Sequence, residues 1–130
     1  MTSSFQPSIS QAQEAALPMH SPAEFEARIA ALWVFPIKSC AGISVTQAVL
    51  TPTGLAHDRA WMVVDAEGEF VSQRELPRMA LIRPTLRHDD MVLRAPGMLA
   101  LHLQIDTVEK ATRVRVWDDQ VPAYDMGDVA

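Results

Sequence analysis

The longest apolar run in this 130-residue chain, Ile29 to Ile37, is stopped by Pro36 and met by Lys38, and every later run is shorter. Pro52-Thr53-Gly54, Asp65-Ala66-Glu67-Gly68, His88-Asp89-Asp90, Pro96-Gly97 and Asp118-Asp119 cut the rest into pieces a few residues long. Runs this short cannot carry packed helices, whereas short strands separated by turn residues build sandwiches and small barrels. The spacing therefore predicts a mainly β fold: a small β-barrel of short, mostly antiparallel strands with one or two short helices.

The individual runs support this. Ile29 to Ile37 reads as a buried strand; the spacing Phe25, Ile29, Leu32 offers a helical alternative that Pro36 disfavours. Ile43, Val45 and Val49 share one parity, with Ser44, Thr46 and Ala48 on the other. Ala60 to Val64 and Phe70 to Gln73 flank the Asp65–Gly68 turn as a hairpin. Leu76-Pro77 breaks regularity before Met79 to Ile82, and Pro84 places the next strand at an edge or bulge. Met91 to Leu93, Leu99 to Ile105, Arg113 to Trp117 and Gln120 to Tyr124 are further strands, with a polar loop over Asp106 to Thr112. Trp33, Trp61 and Trp117 lie in apolar contexts and are expected in the core.

Residues 1–26 are polar and small, with Pro7, Pro18 and Pro22, and read as a flexible leader in which Gln11 to Leu17 could form a short helix. Residues 27–130 form the folded domain. The formal net charge of −5 disfavours a general nucleic-acid or anionic-membrane surface, which needs a positive field. A single cysteine, Cys40, can form neither an internal disulfide nor a structural zinc site. No stretch is long and apolar enough to span a bilayer and no secretory signal is evident, so the expected location is the cytoplasm. At the other end, Asp125 to Ala130 has the pattern of a helix N-cap with its helix removed, and the chain is expected to continue in a longer parent.

Chemistry concentrates at Phe35-Pro36-Ile37-Lys38-Ser39-Cys40-Ala41-Gly42. Lys38 is one of two lysines, the other being Lys110, and it enters a tight turn beside Ser39. An ammonium with a hydroxyl and free backbone amides can hold a phosphate, although a solvated lysine at a strand end would look the same. Arg59 follows His57-Asp58 and enters the next apolar run; it suits a carboxylate or phosphate partner, and Asp58 is the nearest acid. Arg74, Arg78, Arg83 and Arg87 form a basic stretch interrupted only by Glu75, either a solvated face or a docking surface. No base or metal-ligand spacing surrounds Cys40, and His20, His57, His88 and His102 are scattered. Asp89-Asp90 and Asp118-Asp119 fit turns. No complete catalytic set is present, so this chain alone is not expected to be an enzyme, nor to need a metal ligand of its own.

Six blocks in order resemble the N-terminal β-barrel domain that precedes the MOSC (molybdenum cofactor sulfurase C-terminal) domain. They are Phe35 to Cys40 with Gly42; Leu50-Thr51 with Gly54-Leu55; Asp58 to Asp65; Ser72-Gln73-Arg74 with Pro77 to Ile82; Ala95 to Met98; and Val116-Trp117 through Gly127-Asp128. The resemblance implies a molybdenum cofactor (Mo-molybdopterin) shared with a following MOSC domain, with Lys38, Ser39 and Arg59 holding its phosphate and pterin. It implies that the metal-ligating cysteine lies in that MOSC domain, so Cys40 is not promoted to the role, and that Arg74, Arg78 and Arg83 lie near the domain contact. For the parent it implies reductive removal of oxygen from N-hydroxylated compounds, with a flavin or iron–sulfur partner supplying electrons. A sulfurase role is disfavoured by the short leader. No tightly bound cofactor is expected on this domain alone. The alternatives are a stand-alone protein-interaction barrel without cofactor and an oligonucleotide-binding barrel; the acidic charge and 6% aromatic content disfavour the second.

Overall fold

The computed structural model describes residues 24–105 and 110–127. The leader up to residue 23, its possible helix at Gln11 to Leu17, and the last three residues with the expected N-cap at Asp128 lie outside the described residues. Among the described residues, nine strands and one 3-10 helix make up the regular structure: β1 Leu32–Val34, β2 Ile43–Val45, β3 Leu50–Thr51, β4 Gly54–Leu55, the 3-10 helix Pro77–Leu81, β5 Arg83–Leu86, β6 Asp90–Arg94, β7 Leu101–Gln104, β8 Lys110–Val116 and β9 Asp119–Asp125. Every ladder is antiparallel: β1–β2, β3–β4, β5–β6–β7 and β8–β9. The fold is mainly β, as the short runs require.

Outside these sheets, single bridges join further segments, two of them parallel: Ile37 with Trp61 and Glu69 with Arg115. The core gathers where they meet. Ile37, Cys40, Met79 and Met91 are buried together, and Trp61, Val63, Leu93 and Leu103 pack against them. Met91 and Val92 are consecutive yet both buried, because β6 is the middle strand of its sheet and is covered on both faces. Pro84 is buried in β5, an edge strand, where its missing N–H removes no ladder bond from a second neighbour.

Several expectations are corrected. Only Leu32–Val34 of the Ile29–Ile37 run is a strand, and Ile29 is exposed; β1 pairs with β2 on one edge only. The Ile43–Val49 strand ends at Val45, and Val49 is exposed. The hairpin about Asp65–Gly68 is held by a bridge between Val64 and Phe70 and by the Val71 N–H on the Val63 carbonyl. Its turn is fixed locally: Asp65 Oδ1 accepts from the Glu67 and Glu69 N–H groups. β8 begins at Lys110, so residues 110–112 belong to a strand and not to the expected loop. Trp33 and Trp117 are exposed instead of buried: Trp33 points outward on the alternation of β1, and Trp117 sits in a turn.

Candidate anion-binding site

The run from Phe35 to Lys38 is laid against the segment from Arg59 to Trp61 by three backbone hydrogen bonds. The Arg59 N–H donates to the Phe35 carbonyl (2.7 Å), the Trp61 N–H to Pro36 (3.1 Å) and the Lys38 N–H to Trp61 (2.9 Å). Pro36 and Ile37, both buried, anchor this pairing in the core. The Arg59–Phe35 and Lys38–Trp61 bonds thus lie at the two ends of one short pairing, although 21 positions separate Lys38 from Arg59 in sequence. After Lys38 the chain turns through Ser39, whose φ of 72° is left-handed, and the turn is closed by the Cys40 N–H on Ile37 (3.2 Å) and the Ala41 N–H on Ile82 (2.9 Å). Positive φ is uncommon for a non-glycine residue. Ser39, His57 and Arg59 all have it, so strained backbone collects around this pairing.

The side chains divide into two groups. Arg59, at 56% side-chain exposure, ion-pairs with Asp58 through Nη1 and lies 4.8 Å from the centroid of the Phe35 ring. Asp58 also accepts the Phe35 N–H at 2.8 Å. That backbone hydrogen bond, reinforced by the Arg59 guanidinium, holds the Asp58 carboxyl below its ordinary value against the opposing effect of partial burial. The pairing of Arg59 with its neighbouring acid is therefore realised. Lys38 turns instead to aromatic partners: its Nζ is 4.2 Å from the Phe70 centroid and 5.8 Å from that of Trp117. Among the described residues it has no ion pair.

Of the basic stretch, Arg74, Arg78, Arg83 and Arg87 are all exposed. Arg87 pairs with Asp90 (3.8 Å), while Arg78 and Arg83 have no acidic partner among the described residues. Arg74 alone joins the Lys38 group, its Cζ 5.4 Å from the Trp117 centroid. Cys40 is buried, and burial pushes its thiol up to about 11, an inert state. His57 stacks on Trp61 at 6.0 Å. Among the described residues no three His, Cys, Asp or Glu side chains gather as metal ligands, and no helix is long and apolar enough to cross a membrane. The residues that sequence reasoning missed are Phe70 and Trp117. The one signal available was a tryptophan directly before a pair of turn-forming aspartates.

These features define a small domain of short antiparallel ladders with a cation-bearing, aromatic-lined face. The chain belongs to the MOSC N-terminal beta barrel domain family, whose pattern matches residues 26–130. It is similar to mitochondrial amidoxime-reducing component 1 of Mus musculus, 44% identical over 108 residues that cover 78% of this chain and 32% of that protein. It is also similar to molybdenum cofactor sulfurase of Homo sapiens, 39% identical over 102 residues covering 75% of this chain and 12% of that one. The chain thus spans a third or less of the relatives' length. A solution structure of a Bordetella bronchiseptica protein superposes with a TM-score of 0.45 at 26% identity, covering 64% of this chain and 74% of that one.

Proposed function

We propose that this domain supplies one half of a molybdenum-cofactor site, non-catalytic in itself, and that a MOSC domain in the parent chain closes the other half. The observation that carries this reading is Lys38: a half-buried lysine with no ion pair among the described residues, clamped by a backbone bond to Trp61 in the segment that follows Arg59. A cation set against aromatic rings, with no acidic partner among the described residues, suits an external anion. The residues present fit the cofactor's phosphate and pterin. Lys38 supplies charge, and Ser39 a hydroxyl and N–H that no described neighbour engages. Arg59 supplies the guanidinium N–H groups left over from Asp58. When bound, the molybdenum supplies the redox chemistry, which for the parent we assign as reduction of N-hydroxylated compounds with electrons from a flavin or iron–sulfur partner.

Arg78 and Arg83, with the exposed Leu76 and Leu81 at the ends of the 3-10 helix, mark the face we assign to the domain contact. The site is open on this domain alone, so solvent screens its charges and the isolated domain holds the cofactor weakly. The test is molybdenum content by elemental analysis in a chain that includes the MOSC region. Lys38→Ala with Arg59→Ala should lose the metal while the protein stays folded. Equal metal in wild type and variant would refute the reading.

A further inference from the structure

Trp117 occupies an unusual place for a large side chain. Val116 pairs with Asp119, so Trp117 and Asp118 form the two-residue loop of the β8–β9 hairpin. The first position of such a loop takes a positive φ and is ordinarily glycine. Trp117 has φ 58° there, a conformation that costs an L-residue about 1 kcal/mol or more. The indole gains little burial in return, since the residue is 59% exposed. A strained and solvent-facing tryptophan calls for a reason outside the folding of its own hairpin.

Its neighbours supply one. The Glu69–Arg115 bridge, with the Phe70 N–H on the Arg115 carbonyl (2.9 Å) and the Arg115 N–H on Gly68 (2.9 Å), ties this hairpin to the Asp65–Gly68 turn. Phe70 thereby meets Trp117 edge-on at 6.0 Å, and Lys38 and Arg74 both lie near the indole, at 5.8 and 5.4 Å. Two like charges at one ring repel, yet two of the three acids nearest in the chain are committed elsewhere and the third, Asp118 in the hairpin loop, pairs with neither cation. Glu75 accepts the Ser72 N–H (3.1 Å), Glu69 pairs with Arg115 (3.3 Å), and Asp118 has no ion pair among the described residues. Arg74 is placed by a turn of its own, its N–H donating to the buried Ser72 hydroxyl at 3.3 Å.

We propose that Lys38 and Arg74, gathered about Trp117, form a two-cation site for a phosphate-class dianion, with the indole as its floor. This rests on the reading of Lys38 above and adds Arg74 and Trp117 to it; Arg59, already balanced by Asp58, is then the weaker anion contact. An ammonium and a guanidinium on either side of a dianion supply a point charge and a planar fork together, a combination that selects phosphate over chloride.

The test follows the three indole N–H resonances of the chain by NMR while inorganic phosphate, or glycerol 2-phosphate as a monoester, replaces chloride at constant ionic strength. Both should shift the Trp117 resonance saturably and leave that of Trp33 unmoved, the monoester showing that an ester phosphate is accepted and not the free ion alone. Arg74→Gln should weaken binding about tenfold, Arg74→Lys less, and Lys38→Ala about tenfold, with unchanged denaturation midpoints for the exposed Arg74 variants. If Lys38→Ala weakens binding and Arg74→Gln does not, the Lys38 reading stands and the two-cation site falls. If Arg74→Gln weakens binding and Lys38→Ala does not, the two-cation site again falls, and the Lys38 reading with it. No saturable shift in the wild type overturns the site, and molybdenum content then judges the proposed function separately.

Discussion

Replacing Gly42 by alanine tests how firmly the Phe35 ring is fixed beside Arg59. A Cβ at position 42 stands 2.8 Å from Phe35 Cε1, 2.9 Å from Cζ and 3.1 Å from Cδ1. Carbon atoms in contact settle at about 3.5 Å or more, so the ring must retreat by roughly 0.7 Å. The obstacle is the edge of a half-buried ring and not backbone, which places the cost at the low end of the ~1–3 kcal/mol of overpacking. Gly42 is not among the residues with positive φ, so alanine regains ~0.4–1 kcal/mol by restricting the unfolded chain. The expected net effect is a loss of at most about 0.6 kcal/mol, or up to ~2–5 °C in Tm for a domain of this size. Urea denaturation of a double-mutant cycle with Phe35→Leu isolates the clash. In the leucine background, whose side chain can move aside, Gly42→Ala should be neutral or stabilising. Destabilisation of equal size in both backgrounds would refute the reasoning, because the clash would then not be with the ring. Since Arg59 rests over that ring, the single variant should also displace its guanidinium.

Other predictions concern the core and the two perturbed groups. Met91→Ala, at a position 1% exposed among Ile37, Cys40 and Met79, should lose ~2–5 kcal/mol in urea denaturation, and a loss below about 1 kcal/mol would mean the core closes over the gap. Asp58 is held below its ordinary value, so its stabilising contribution is present above that value, near pH 4, and is lost as pH falls through the lower folded value. Asp58→Asn should therefore flatten the acid limb of the stability profile, and an unchanged limb would count against the pairing. The Cys40 thiol, raised to about 11, contributes stability that is complete below its ordinary value of 9.0 and lost as pH rises from there. Native protein at pH 8 should resist alkylation until it unfolds, whereas rapid labelling would show the thiol accessible.

The β class was legible because each apolar run is short and each stop has a chemical cause, as at Pro36, Gly54 and Asp118-Asp119. Ladder lengths were not, since period-two alternation in Ile43 to Val49 says nothing of whether a partner strand lies alongside. Trp33 and Trp117, unlike Trp61, misled for a related reason: an apolar sequence context fixes which residues are available for burial, not which of them find a second layer. Within the site, Lys38 and its turn could be singled out locally, and the Asp58–Arg59 pair was foreseeable from adjacency. The meeting of Lys38 with Phe70, Arg74 and Trp117 could not be, because it depends on a parallel bridge between Glu69 and Arg115 that has no sequence signature.

The three bonds that join Phe35–Lys38 to Arg59–Trp61 also partition the chain for an engineer. What lies between them includes the β3–β4 hairpin, whose tip at Pro52 and Thr53 is exposed and whose ladder contains just two residue pairs. That tip is an insertion port: a reporter peptide or affinity handle spliced there would extend into solvent while the bonds of Lys38 to Trp61 and of Arg59 to Phe35 stayed in place.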